Sequence, residues 1–201
     1  MREAQGDSGP PAGSDEKPAS GAERLRLLLE VSALLAAHRE LHTLLREISA
    51  SLQRLVKHDY ASLSLFDREL GGFRLHALDF PSGRGLIREQ AVFAAEGSPH
   101  AVTIRSGEPL VVNRLDARRF SSDITQWLLS EGIQSACWLP LQHGHRSIGV
   151  LNVASFHENA LDAEAMLLLR EISVLISVAV ESREALLSDF AAGFARRALM
   201  E

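Results

Sequence analysis

The chain's single cysteine, Cys137, is followed by two closely spaced histidines, His143 and His145. A thiol and two imidazoles are the raw material of a metal centre, a nucleophilic dyad or a gas-sensing site. Strand residues advance about 3.3 Å each, which puts Cys137 and His143 about 20 Å apart on one straight strand. Metal ligands must converge within about 2.0–2.4 Å of one ion, so the two cannot share a metal unless the strand breaks early. His143 and His145 flank Gly144 in "QHGHRS", the composition of a tight hairpin turn, and both are assigned to an exposed tip. Cys137, in "SACWLP", reads first as a small buried hydrophobe, because no adjacent cation is there to depress its pKa.

Other reactive-looking spacings fail for stated reasons. "GDSGP" around Ser8 has the look of a protease nucleophile, but its surroundings supply no oxyanion site and no held histidine. His38 and His42 stand four apart, yet a zinc-protease helix needs glutamate where this chain has Arg39. No phosphate loop of the form GxxxxGK[ST] occurs, and the pair Gly83 and Gly85 meets Arg88 where a dinucleotide fingerprint needs its third glycine.

A binding site is better supplied with candidates than a catalytic one. Ser62, Ser64 and Asn152 are strand polars that must find partners if buried. His76, opposite Leu75 and Ala77 in "FRLHALDF", could point toward a ligand. Arg84 and Arg88 could reach over a pocket and hold a carboxylate through paired N–H donors. Phe120 and Trp127 could wall it, and Cys137 completes the candidate lining. Each also has a plainer role: solvation for the arginines, packing for the rings, a structural place for the histidine.

The elements that would position these residues follow from periodicity. Residues 1–22 are rich in Gly, Pro, Ser and charge, the composition of a disordered tail. Leu25, Leu28, Leu29 and Leu35 predict an amphipathic helix over 23–37, and Leu41, Leu44, Leu45, Ile48 and Leu52 a second over 41–56. Alternation in 60–66 and 73–80 predicts a β-hairpin. After a long polar stretch, 81–97, come a helix at 98–105 capped by Ser98, a short strand at 108–113 and a helix at 123–132 capped by Asp123. The cysteine-bearing stretch supplies a second hairpin. A long helix over 162–187 is apolar on more than one face, which asks for another helix or a second subunit. Hairpins imply a mostly antiparallel sheet with helices on both faces, an α+β layer fold.

A net charge of −5 argues against a nucleic-acid-binding domain, and the densest basic stretch, "RLDARRF" at 114–120, is short and contains Asp116. The most apolar run, 173–180, is far short of the roughly 20 residues a spanning helix needs. No signal peptide is indicated, and a lone cysteine fits a reducing cytoplasm.

This order of elements, with "LHALDFPSGRG", "EPLVVNRLD", "LLSEGIQSACWLPL" and "IGVLNVAS" followed by "LLLREISVLISVAVE", resembles a GAF sensory domain. It looks most like that of bacterial enhancer-binding transcriptional activators of the formate-hydrogenlyase-activator type. The resemblance implies a GAF-like, PAS-related antiparallel sheet of about six strands, covered by the first and last helices on one face and a small-molecule pocket on the other. It divides the chain into a tail (1–22), a GAF domain (23–187) and a helical extension or linker start (188–201). It implies a cytoplasmic, non-catalytic sensor that binds an unknown small molecule, a small anion if the arginines serve. The sensor would form a homodimer through its terminal helices and act on an AAA+ or other signalling effector. No cofactor is required. A dimerisation or adaptor module without ligand is the alternative. The methionine sulfoxide reductases of this family need a second cysteine to resolve the first, which this chain lacks.

Overall fold

The computed structural model describes residues 21–37, 40–144 and 146–198. Residues 1–20 of the expected tail, with Ser8, lie outside that range, as do His38, Arg39 and His145. The elements run α1 (Gly21–Ala37), α2 (Leu41–Leu52), β1 (Tyr60–Asp67), β2 (Gly72–Asp79), β3 (Val92–Ala94), α3 (Pro99–Ser106), β4 (Leu110–Val112), α4 (Asp123–Glu131), β5 (Ser135–His143), β6 (Arg146–Ser155) and α5 (Ala163–Ala198). The six strands form one sheet in the order β3-β2-β1-β6-β5-β4, and every pairing is antiparallel.

Both faces of the sheet are buried, and strict alternation along the central strands sorts their side chains between two cores. Ala61, Leu63 and Leu65 of β1 join Cys137, Leu139, Leu151 and Val153 against α1, α2 and α5. Tyr60 of β1 joins Ala136, Trp138, Val150 and Ala154 in a second core with Phe120, Ile124 and Leu128. By the same alternation Ser62, Ser64 and Asn152 belong to this second face. In β6, Gly149 permits close strand approach, since a Cβ there would fall 2.5 Å from the Ser64 carbonyl oxygen.

Three local devices differ from the sequence expectation. The polar stretch 81–97 hides β3, three residues too short to declare a period. In β2 the register shifts opposite Leu63 and Ser64, which pair with Ala77 and Leu75, so His76 is the extra residue of a β-bulge. Leu75 consequently packs in the second core and Ala77 in the first, and the expected single face through both is split. At α4 the N-cap is Ser122, with Asp123 in the first turn. The expected cap of α3 holds, Ser98 Oγ accepting from Ala101 N; Gly107 closes that helix at φ 68°, and at the start of α5 Asp162 Oδ1 accepts from Ala165 N. No helix among the described residues is long and apolar enough to cross a membrane.

Candidate functional site

The second face carries an unusual density of aromatic rings. Phe73 stacks on Phe93 at 5.6 Å, and the His100 ring lies 5.1 Å from Phe73, 4.8 Å from Phe93 and 6.3 Å from Trp138. Phe120 packs 6.3 Å from Trp138 on the far side of the layer from β3. His100 reaches this position because Ser98 and Pro99 start α3 directly above the sheet and leave it in the first turn.

Four polar side-chain atoms on this face are buried and lack any hydrogen-bond partner: Ser64 Oγ, His100 Nδ1, Trp138 Nε1 and Asn152 Oδ1. Trp138 and Asn152 are register partners on β5 and β6, and Ser64 lies on the neighbouring β1. Asn152 is held in place by its other amide atom, since Nδ2 donates to the Cys137 carbonyl at 2.8 Å. Ser62, by contrast, is satisfied, accepting from the Tyr60 hydroxyl at 2.9 Å. Orphaned buried polar atoms cost about 1–3 kcal/mol each, so four on one face are a departure from ordinary packing that calls for an explanation. Burial pushes His100 down to about 3, which leaves its ring neutral at ordinary pH.

A strap, residues 80–91, closes the end of this layer. Its buried anchor is Ile87, and Phe80 packs edge-on against Tyr60 at 5.2 Å. The carboxylate of Glu131, at the C-terminal end of α4, accepts the backbone N–H groups of Arg84 and Leu86, each at 2.7 Å. Burial pushes Glu131 up, but these amides, that of Ile87 and the Arg84 guanidinium outweigh it and hold the carboxyl below its usual range. At the strap's other end Glu89 accepts Leu78 N at 2.9 Å and meets His42 Nδ1 at 2.5 Å. Beside α3, an apolar cleft of about 380 Å³ is lined by Phe66, Phe73, Ala95, Gly97, Ala101 and Ile104, with Glu96 and Arg105 at its edge. Phe73 both lines this cleft and packs on His100.

The structure brings Ser62, Ser64, Asn152 and Phe120 onto one face, with Trp127 packed half-buried beside them. Cys137 does not join them. It lies fully buried in the other core, because it is one residue out of phase with Trp138, and burial pushes its thiol up to about 12. Arg84 does not reach the face either: its side chain is 66% exposed and its Nε stands 3.6 Å from Glu131. Arg88 is exposed and donates to the Gly85 carbonyl of its own strap. His76 sits half-buried in the bulge. Among the described residues no group of three His, Cys, Asp or Glu is placed to hold a metal ion.

Sequence reasoning missed His100, Trp138 and Glu131. Trp138 carried a usable signal, since it stands one residue out of phase with Cys137 on the same strand and so faces the other core. His100 and Glu131 had none, being ordinary positions at the two ends of short helices.

The GAF domain family model matches residues 40–180. The formate hydrogenlyase transcriptional activator of Salmonella typhimurium (strain SL1344) is 22% identical over 163 residues, 80% of this chain and 23% of that protein. The sensor histidine kinase YhcY of Bacillus subtilis (strain 168) is 25% identical over 162 residues, 79% of this chain and 42% of that protein. The chain thus spans less than half the length of either relative. Among solved structures, free methionine-R-sulfoxide reductase from Neisseria meningitidis in complex with its substrate superposes with a TM-score of 0.65 at 19% identity, covering 83% of this chain and 95% of that one. With the family model spanning both hairpins, α3, α4 and the first half of α5, the chain belongs to the GAF domain family.

Proposed function

We propose that this chain is a non-catalytic sensory GAF domain in which a small molecule on the α3–α4 face biases the arrangement of α1 and α5 and, through them, an output domain. The observation that carries this reading is the set of four buried, unpartnered polar atoms on one face of the sheet. The output side is supported by apolar residues turned to solvent on α1 and α5. Leu29 is 63% exposed, Val174 63% and Val178 60%, with Leu25 and Leu167 also exposed. The two helices already form one surface, joined by Arg24 Nε and Nη2 donating to the two carboxylate oxygens of Glu171. A second copy that covers these residues gives a homodimer whose helices pass a signal along the axis. A cytoplasmic place beside a transcriptional or kinase effector is consistent with the regulators the chain is similar to.

The adaptor alternative, a dimer without ligand, is favoured by one observation: Phe73, Phe93, His100 and Trp138 fill much of the face themselves. A reductase is disfavoured because Cys137 faces away from the site and its thiol is held protonated. The test is a thermal-shift screen of small molecules, formate included, on the purified chain, combined with light scattering. A sensor gains stability with a ligand that binds only the native state, and that gain disappears in Asn152→Leu. Leu29→Glu with Val174→Glu converts the dimer to monomer. A chain that is monomeric at micromolar concentration and unmoved by every compound would sink the proposal.

A further inference from the structure

We infer that the molecule this face takes is uncharged and flat, a ring bearing an amide or lactam group, and not an anion. The inference rests on reading the face as a ligand site and goes on to name the ligand's chemistry. Each orphan atom restricts the partner. The Trp138 indole N–H can only donate. Asn152 Oδ1 can only accept, and the amide cannot be turned over, because that would set its oxygen against the Cys137 carbonyl that Nδ2 now reaches at 2.8 Å. Ser64 Oγ and the neutral His100 ring can do either. The ligand must therefore offer at least one acceptor, for Trp138, and one donor, for Asn152. These residues are register partners on adjacent strands, so a donor and an acceptor carried on one small group would serve both. The N–H and C=O of a single amide or lactam are such a pair.

Charge excludes the alternatives. Among the described residues Glu131 is the one buried group that bears a charge; no arginine or lysine is buried. Glu131 is negative and already saturated by strap amides. Arg84 and Arg88, the cations a carboxylate would need, stay at the surface on Glu131 and Gly85. Arg119 stands 5.0 Å over the Phe120 ring from an exposed position. Arg105, at the edge of the cleft, is exposed and its Nε donates to the Ala101 carbonyl of its own helix. A carboxylate brought among the buried atoms would therefore lose its hydration with no buried cation to replace it. Shape agrees with charge, since Phe73 of this ring cluster also lines the apolar cleft beside α3, and aromatic surfaces favour a flat partner.

Matched pairs test this directly: benzamide against benzoate and nicotinamide against nicotinate, with formate as a bare carboxylate. The readout is the Trp138 indole N–H signal in a ¹⁵N-correlation NMR spectrum, distinguished from that of Trp127 with Trp127→Phe. The expected result is that an amide moves the Trp138 signal and raises the melting temperature, while its carboxylate partner binds at least tenfold more weakly. Asn152→Leu then weakens amide binding about tenfold or more, and Arg84→Ala leaves it unchanged. Carboxylates that bind more tightly than their amides, with binding lost in Arg84→Ala, would overturn the uncharged class while leaving the ligand site standing. If no compound of either class moves the Trp138 signal, the ligand-site reading itself falls, and this inference with it.

Discussion

The side-chain amide of Asn152 donates to the backbone carbonyl of Cys137 at 2.8 Å, yet the side chains of these two residues serve opposite faces of the sheet. The thiol is buried among leucines and valines and its pKa is pushed up to about 12. Cys137 is therefore expected to resist thiol reagents at pH 8 until the protein unfolds, so that labelling runs at the unfolding rate. Cys137→Ala removes only packing and should cost about 1 kcal/mol without changing any ligand response. Fast labelling of the native chain, followed by mass spectrometry, would contradict this placement.

That opposition also shows what the sequence could reveal. The alternation in 60–66 separates Tyr60, Ser62 and Ser64 from Ala61, Leu63 and Leu65, and the structure keeps that division. The same rule separates Cys137 from Trp138, but only the paired register shows that Asn152 shares the Trp138 face. In β2 the bulge at His76 breaks the rule, so Leu75 and Ala77 part company despite their spacing. Helices were legible because they depend on residues within a turn of one another, although the cap of α4 is Ser122 and not the expected Asp123. The strap and the orphan set depend on contacts such as that of Glu131 with Arg84, 47 positions apart, which no local pattern encodes.

Two serines separate a site role from a structural one. Ser49 Oγ donates to Asp79 Oδ2 at 2.5 Å and lies 2.9 Å from His58 Nε2, tying α2 to the end of β2. Removing it in Ser49→Ala leaves Nε2 of the buried His58 without a partner and takes a hydrogen bond from the half-buried Asp79, and should cost about 1–3 kcal/mol. Ser64 Oγ has no partner to strand. Ser64→Ala should be neutral or raise stability by up to about 1 kcal/mol, the pattern of a residue kept for binding. Urea denaturation of both variants checks this, and a clear loss in Ser64→Ala would show that its hydroxyl is already satisfied.

Glu131 is expected to control the strap. In Glu131→Gln one oxygen can still accept, but the new NH₂ faces a backbone donor, so about 1–3 kcal/mol should be lost. The loss should be local: faster amide exchange at Arg84 and Leu86 and earlier tryptic cleavage at Arg84, with the helices unaffected. Because the folded carboxyl titrates below its unfolded value, its contribution is complete above about pH 4.5 and is lost as pH falls through the folded pKa. Uniform exchange across the domain in the variant would instead make Glu131 part of the global core.

His100 sets a separate and higher acid window. Its ring is 1% exposed, and burial pushes it down to about 3, whereas an unfolded histidine titrates near 6.5. Between those values the unfolded chain binds a proton that the folded chain refuses. Stability should be independent of this group above about pH 6.5 and fall as pH drops toward 3, by about 1.4 kcal/mol per unit at most. His58 adds to the same slope, since burial also lowers it, against the opposing Val56 carbonyl, Asp79 and Asp59. Glu131 does not titrate until lower pH, so urea denaturation at pH 7.0, 6.0 and 5.0 isolates the histidines. His100→Leu should flatten that part of the curve to the residue left by His58. An unchanged slope would mean that His100 accepts a proton within the fold, which requires a partner for Nδ1 and would remove it from the orphan set on which the ligand site is built.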